Sequence, residues 1–171
     1  MKLLIAYTSK NGVAKRCAEM LAQNLPAPVE YDIVDLSVST PELYEYDAAV
    51  LGGSIHFGGF NKKLKRFLKD NKGALSSLPT AVYICCGLPH RYDEYAEIAL
   101  PRGFEPSLGV YHFGGELKPD KLRGFDKLVV KNLRASITMA DFEDNKTHDL
   151  SLPEIMPENI KLVAEELKKL K

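Results

Sequence analysis

Short apolar runs alternate with segments of helical hydrophobic period along most of the 171-residue chain. The first run, Lys2 to Tyr7, leads directly into a segment in which apolar residues recur three or four positions apart. Strand, helix, strand and helix joined by short connections are typical of a parallel sheet covered by helices on both faces. The pattern therefore predicts an α/β fold: a doubly wound, five-stranded parallel sheet in a three-layer α/β/α sandwich.

One domain over residues 1–171 is expected, because nothing in the sequence marks a linker or an internal repeat. The polar, aperiodic segment 141–157 is interpreted as a surface excursion between two helices. The four strands predicted after the first are Val29 to Leu36, Tyr46 to Gly53, Thr80 to Cys86 and Gly109 to Gly114. Apolar stripes predict four helices, on Ala14, Cys17, Ala18, Leu21 and Leu25; on Phe60, Leu64, Phe67 and Leu68; on Leu122, Phe125, Val129, Leu133 and Ile137; and on Ile160, Val163, Ala164, Leu167 and Leu170 after Pro157.

Basic and acidic residues are balanced at 23 each, which argues against a nucleic-acid partner. No apolar run is long enough to span a bilayer, and the first strand begins too early for a signal peptide, so a cytoplasmic protein is predicted. The basic residues between Lys62 and Lys72 leave two alternatives open: a surface for an acidic redox partner or a membrane, or a solvated helix face. Cys17, Cys85 and Cys86 have no metal-site spacing and are interpreted as buried, unreactive thiols.

The stretch "IAYTSKNGVA" ends the first strand with hydroxyls, an amide and a glycine before a helix begins. Such a loop directs backbone N–H groups toward one point, where the helix dipole also favours negative charge. Thr8 and Ser9 can donate hydroxyls, and Gly12 permits the positive φ that an anion-binding loop often requires. The alternative is an ordinary strand-to-helix turn, in which the same residue types serve as caps.

Two further loops follow predicted strands, "SIHFGG" from Ser54 and "GLPHRY" from Gly87. In a doubly wound sheet, ligands bind outside the carboxyl ends of the strands, so the three loops are expected to meet. Glycine-rich, aromatic loops beside a hydroxyl-rich one fit a ligand that is flat at one end and anionic at the other, such as flavin mononucleotide (FMN). Phe57 or Ile55 would cover one ring face and Tyr92 or His90 the other. His56 and His90 are candidates either for proton transfer or for shaping the pocket.

Three segments, "YTSKNGVAKRCAEMLA", "YDAAVLGGSIHFGGFNKKLKRFLK" and "GGELKPDKLRGFDKLVVKNL", resemble the flavodoxin family. Within that family the chain is most similar to the menaquinone-dependent protoporphyrinogen oxidase branch. The resemblance implies a flavodoxin-like fold with FMN as cofactor. Together with the loop argument, it gives these cofactor-binding residues: Thr8, Ser9, Lys10, Asn11, Gly12 and Val13 for the phosphate; Ser54, Ile55, His56, Phe57 and Gly58 for the ring; and Gly87, Leu88, His90 and Tyr92 on the third loop.

Three functions follow from this reading. The first is an FMN-binding redox protein that transfers electrons between an unnamed donor and acceptor, either a partner protein or a small molecule. The second is a flavin-dependent dehydrogenase of the protoporphyrinogen and quinone type. The third is a degenerate flavodoxin-like interaction domain without tight FMN binding, because Ala14 occupies a position where the family commonly has a threonine.

Overall fold

A computed structural model describes residues 1–55, 59–86, 92–116 and 154–170. All neighbouring strands in its single five-stranded sheet are parallel, and the order across the sheet is β2-β1-β3-β4-β5. The predicted five-stranded, doubly wound parallel sheet is thus confirmed. The strands are β1 (Lys2–Thr8), β2 (Glu30–Asp35), β3 (Ala48–Ser54), β4 (Thr80–Cys85) and β5 (Gly109–His112).

Helices cover both faces of the sheet in the described part of the chain. They are α1 (Val13–Gln23), α2 (Lys62–Asp70), α3 (Lys72–Ser77), α4 (Tyr92–Ala99) and α5 (Pro157–Lys168). The buried side chains of α1 and α5 belong to one apolar core, and those of α2, α3 and α4 to a second core on the opposite face. This arrangement confirms the three-layer sandwich.

Strand β1 shows why the sheet lies inside the molecule. Leu3, Ile5 and Tyr7 face the core formed with α1 and α5, whereas Leu4 and Ala6 face the core formed with α2, α3 and α4. Burial of each Leu or Ile side chain stabilises the fold by about 1.5–3 kcal/mol. A strand that contributes to two cores therefore reads as the continuous apolar run seen in the sequence.

The predicted strand ends agree with the structure to within two residues, but some helix predictions are wrong. Leu25 lies beyond α1 and Leu170 beyond α5. Phe60 is buried but precedes α2, because Asn61 caps that helix by accepting a 2.8 Å hydrogen bond from the amide of Lys63. The predicted helix containing Leu122 and most of segment 141–157 lie outside the described residues.

Helices α3 and α4 were not predicted. Helix α3 has only six residues, including Gly73 and two serines, so it presents almost no periodic signal. Helix α4 begins at Tyr92, so the placement of Tyr92 in a loop is wrong. Asp93 and Glu94 in its first turn are a helix-start signal that the sequence did offer, since carboxylates there complement the helix dipole.

Candidate functional site

The sheet reverses its winding direction between β1 and β3. From β1 the chain crosses to β2 on one side, and β3 then lies on the other side of β1. The parallel register pairs Thr8 with Gly53, so the carboxyl ends of both strands reach the same edge side by side. This crevice is where ligands bind in doubly wound sheets, and it places Thr8 and Ser54, the first residues of the first two predicted loops, at the same edge.

Two buried hydroxyls at this edge lack a hydrogen-bond partner. Thr8 is the last residue of β1 and only 2% exposed, and among the described residues neither its Oγ1 nor the buried Oγ of Ser9 has a hydrogen-bond partner. Leaving a buried hydroxyl unsatisfied costs about 1–3 kcal/mol. Because native folds satisfy nearly all such groups, two adjacent exceptions indicate that a ligand supplies the missing acceptor.

The N-terminus of α1 faces the same crevice. Gly12 precedes the helix with φ of 83°, a conformation that favours glycine, and no side chain caps the helix. Lys10 and Asn11 are exposed, and Val13 is the buried first residue of α1. An uncapped helix N-terminus beside two unsatisfied hydroxyls has the donors of an anion-binding site. The ordinary turn considered as an alternative is met in part, since Gly12 occupies the N-cap position, but no side chain there caps the helix.

Gly53 in β3 allows close packing beside Thr8 at this edge. A Cβ added to Gly53 would lie 3.1 Å from Oγ1 of Thr8 and 2.9 Å from Cδ2 of Leu64. Ser54 ends β3, and the half-buried Ile55 follows it, held by a hydrogen bond of 2.8 Å from its amide to the Cys85 carbonyl. Ser54 and Ile55 therefore directly follow Gly53, the residue that pairs with Thr8.

Tyr83 of β4 is hydrogen-bonded to the start of α1. Its hydroxyl donates a 2.9 Å hydrogen bond to the carbonyl of Ala14, and its ring stacks on Phe113 at a centroid distance of 4.6 Å. A Cβ at Gly52 would lie 2.2 Å from this ring, so only glycine fits there. Complete burial raises the pKa of Tyr83 well above its ordinary value, which keeps the phenol a hydrogen-bond donor.

A polar cluster at the β4 and β5 ends was not predicted. Nε2 of His112 lies 3.2 Å from Sγ of Cys86 and 3.3 Å from its carbonyl oxygen, and the His112 ring stacks on Tyr92 at 4.9 Å. Asn159 donates a 2.7 Å hydrogen bond to the His112 carbonyl. Sequence spacing hides this cluster, because Cys86 and His112 are distant in sequence. The available signal was that both residues end neighbouring strands.

Burial governs the titration of this cluster. Burial lowers the pKa of His112 despite its hydrogen bond to the Cys86 backbone. Burial, with smaller effects from Asp93 and Cys86, raises the pKa of Tyr92 to about 12. At neutral pH the cluster therefore has a neutral imidazole beside a neutral phenol, and it presents no cation toward the crevice.

The three cysteines are buried, free thiols, as expected. Sγ of Cys85 lies 3.6 Å from Sγ of Cys17, which joins β4 to α1. The hydrogen bond with Cys17, reinforced by burial, raises the pKa of Cys85 well above its ordinary value. A thiol held in its protonated form is a poor nucleophile, so this pair acts in packing.

Several predicted ring contacts lie outside the described residues: His56, Phe57, Gly58, Gly87, Leu88 and His90. Tyr92, the described member of the predicted third loop, packs against His112 of β5, which is separated from β1 by β3 and β4. The structure thus brings together Thr8, Ser9, Gly12, Ser54 and Ile55.

A cavity of about 340 Å³ adjoins the outer side of the hydroxyl-rich loop. Arg16 on α1 forms an ion pair with Glu116 across its wall. Its other lining residues are Asn11, Gly12, Val13, Lys15 and Glu19.

The described ranges contain no cluster of three or more His, Cys, Asp or Glu side chains suited to a metal ion. Over the same residues, no helix has the length and apolar character needed to cross a membrane.

The sequence is similar to a known protein family and to curated proteins. A family model described as a flavodoxin domain matches residues 4–149. The curated protoporphyrinogen IX dehydrogenase (quinone) of Escherichia coli K12 is 29% identical over 85 residues, covering 48% of this chain and 47% of the relative. A protein of the same name from Leishmania major is 28% identical over 85 residues, covering 48% of this chain and 37% of that protein. The match thus spans about half the length of these curated relatives or less.

Two solved structures share the fold across the whole chain. A flavodoxin from Streptococcus pneumoniae superposes with a TM-score of 0.54 at 15% identity, covering 99% of both chains. The Flv1 flavodiiron core from Synechocystis superposes with a TM-score of 0.55 at 14% identity, covering 100% of this chain and 37% of that one. At these identities the likeness establishes a flavodoxin-like fold.

Proposed function

The chain belongs to the flavodoxin-domain family, as its sequence predicted, and we propose that it binds FMN and transfers electrons between a donor and an acceptor. The observation that carries this proposal is the pair of buried, unpartnered hydroxyls of Thr8 and Ser9 at the β1 and β3 crevice. A phosphate group has the acceptor oxygens that these hydroxyls lack.

Both the phosphate and the ring of FMN fit the chemistry of this site. Its phosphate would accept from Thr8, Ser9 and the backbone amides around Gly12, where the uncapped N-terminus of α1 favours negative charge. Its ring would lie toward Ser54 and Ile55, which border the hydroxyl pair through the β1 and β3 register. When bound, FMN supplies the electron chemistry, and the protein binds and orients it and excludes water.

Ala14 does not remove the phosphate site. Its side chain is fully buried in the core shared by α1 and the sheet, and its carbonyl is held by Tyr83. The hydroxyl donors are Thr8 and Ser9, so FMN binding is proposed to depend on these two side chains.

Parallel titrations with FMN and riboflavin test this proposal, because the two flavins differ only by the phosphate. Quenching of flavin fluorescence should show one saturable site with a clear preference for FMN. Thr8→Val should weaken FMN binding about tenfold or more, as loss of a hydrogen bond to a charged group costs about 1.5–3 kcal/mol, and should leave riboflavin binding unchanged. Thr80→Val is the matched control, because Thr80 is equally buried at the opposite edge of the sheet.

Three outcomes separate the candidate functions. A preference for FMN that Thr8→Val abolishes supports the proposal. Equal loss of FMN and riboflavin affinity would show that Thr8 acts on the fold rather than on the phosphate. No binding of either flavin at millimolar concentration would leave the third candidate, an interaction domain that kept the fold without the cofactor.

A second candidate is a dehydrogenase that oxidises protoporphyrinogen and reduces a quinone. Two relatives carry that name, although the match covers less than half of each. Anaerobic mixing of the FMN-loaded protein with protoporphyrinogen IX should then bleach the visible flavin absorption, and a soluble quinone should restore it. A carrier without this activity would stay oxidised under the same conditions and would accept electrons from a reduced redox protein.

We also propose a cytoplasmic location, which the three free thiols support, since unpaired cysteines are usual in a reducing compartment. The electron donor and acceptor are proposed to be a redox partner protein or a small molecule that reaches the flavin at the carboxyl edge of the sheet. Fractionation of cells by compartment, with detection by antibody, tests the location.

A further inference from the structure

Charge is segregated along this chain although its total is zero. Residues 62–72 contain six of the 23 basic residues and one of the 23 acidic residues. The rest of the chain therefore carries an excess of acidic side chains. Residues 62–72 therefore carry a local excess of positive charge, which favours the approach of an acidic partner.

The basic residues form a stripe on α2 opposite its buried side. Leu64, Phe67 and Leu68 of α2 are buried in the core, and Lys62, Arg66 and Lys69 are exposed. Positions i, i+4 and i+7 share one helix face, so these three cations project together into solvent. In the described part of the chain neither Lys62 nor Lys69 takes part in an ion pair, while Arg66 pairs with Asp70 at 3.3 Å.

A groove runs alongside this stripe. It has a volume of about 370 Å³ and lies between residues 36–40, which follow β2, and the flank of α2. Nζ of Lys63 donates a 2.6 Å hydrogen bond to the Ser37 carbonyl and so holds the two walls together. Val38 on the groove wall is 85% exposed and so offers an apolar contact there. An apolar contact bordered by charged side chains is the usual composition of a protein-binding surface.

The groove begins beside the candidate site. The amide of Leu36 donates a 2.8 Å hydrogen bond to the carbonyl of Tyr7, the residue before Thr8. Helix α2 starts at Lys62, shortly after Ser54 and Ile55 at the end of β3. A protein bound along the stripe and groove would therefore contact the same edge of the sheet as the proposed flavin.

We propose that the Lys62, Arg66 and Lys69 stripe, with the Val38 groove, is the docking surface for a small acidic electron-transfer protein. This inference rests on the proposed redox function and names the chemistry of its protein partner. Lys62 and Lys69, which form no ion pair among the described residues, favour acidic side chains, and Val38 provides an apolar contact within a charged rim. Such complementarity acts mainly on the association rate and weakens as ionic strength rises.

The test uses an acidic plant-type [2Fe–2S] ferredoxin as probe, with a basic c-type cytochrome as the opposite-charge control. Binding to the full chain, with and without FMN, is measured by calorimetry below and above an ionic strength of about 0.1 M. Lys62→Glu combined with Lys69→Glu should weaken ferredoxin binding about tenfold or more at low salt, because it replaces two attractions with repulsions. High salt should remove most of the difference between this variant and the parent protein.

A matched control variant exists on the other face of the sheet. Lys161 and Lys168 are exposed on α5, also seven residues apart, and α5 contributes to the core on the face opposite α2. Lys161→Glu combined with Lys168→Glu makes the same change in net charge. We expect ferredoxin affinity to change less than twofold in this control, and thermal unfolding checks that both variants remain folded.

Equal weakening by the two double variants, or no weakening by either, would overturn the docking surface. Binding to vesicles of phosphatidylglycerol that depends on Lys62 and Lys69, without binding to ferredoxin, would overturn it in favour of a membrane contact. Because ferredoxin binding is also measured without FMN, the experiment tests the redox function and the docking surface independently. Docking that depends on the stripe without flavin binding would refute the redox function alone, and flavin binding without such docking would refute the surface alone.

Discussion

Thr8 and Thr80 are the two buried polar residues in the described chain, and they lie at opposite edges of the sheet. Thr80 begins β4 at the amino edge, and its hydroxyl is directed at the carbonyls of Leu75 and Leu78 at 3.0 and 2.8 Å. Thr8 ends β1 at the carboxyl edge, and its hydroxyl has no partner. Two threonines with similar burial thus differ in hydrogen bonding. The fold supplies acceptors for the hydroxyl of Thr80 but none, in the described structure, for the hydroxyl of Thr8.

The difference shows at which edge of the sheet buried polar groups are left for a ligand to satisfy. At the amino edge Thr80 serves a connection, because its hydroxyl donates to the carbonyls of α3 and of the residues that lead into β4. At the carboxyl edge the β5 end is closed by residues 154–156, where the Gly115 amide donates to the Glu154 carbonyl and the Met156 amide to the Phe113 carbonyl. The β1 end has no such closure in the described structure, so unsatisfied donors remain there.

The largest expected effect comes from the closed end of this edge. Gly114→Ala should lower the free energy of unfolding by about 4 kcal/mol, because its Cβ would lie 2.0 Å from the Glu154 carbonyl oxygen at a φ of 76°. Gly12→Ala at the open end should cost about 1 kcal/mol, since its φ of 83° is equally unfavourable but nothing lies within 4 Å. Urea unfolding of both variants measures the difference. Equal costs would contradict the contrast between a closed and an open end.

The two threonines should respond in opposite directions to the same replacement. Without flavin, Thr80→Val should lower the free energy of unfolding by about 1 kcal/mol, because satisfied carbonyls lose their donor. Thr8→Val should raise it by about 1 kcal/mol, because an unsatisfied buried hydroxyl is removed. Chemical denaturation of the flavin-free protein provides the comparison. A loss of stability in both variants would mean that Thr8 is satisfied within the fold and is not reserved for a ligand.

The smallest effect is a pH dependence at the closed end. Because burial lowers the pKa of His112 in the folded protein, its contribution to stability is present above the unfolded value of about 6.5. That contribution is lost as pH falls from there through the lowered folded pKa. His112→Gln cannot take up this proton, so its melting temperature should fall less than that of the parent between pH 8 and 5. If the melting temperatures of the two proteins fall by the same amount over this range, the pKa of His112 is not lowered by burial.

The sequence by itself determined the fold and the position of the hydroxyl-rich loop that follows β1. Apolar runs buried on both faces have no periodicity of two, so β1, β3 and β4 were evident with ends correct to within two residues. The loop from Thr8 to Val13 was predicted from hydroxyls and Gly12, because turn and capping chemistry is local. The motifs at Thr8 and Ser54 gave the family that the domain match then confirmed, and FMN is the cofactor which that family supports.

Only the tertiary structure decided which polar groups are satisfied. Whether Thr8 or Thr80 finds a partner depends on chain segments brought to each edge by strand order, which local sequence does not encode. The pairing of Cys86 with His112 and the departure of Tyr92 from its predicted loop have the same origin. Short helices such as α3 form because burial of Leu75 stabilises them in place, whereas their own residues give little helical preference.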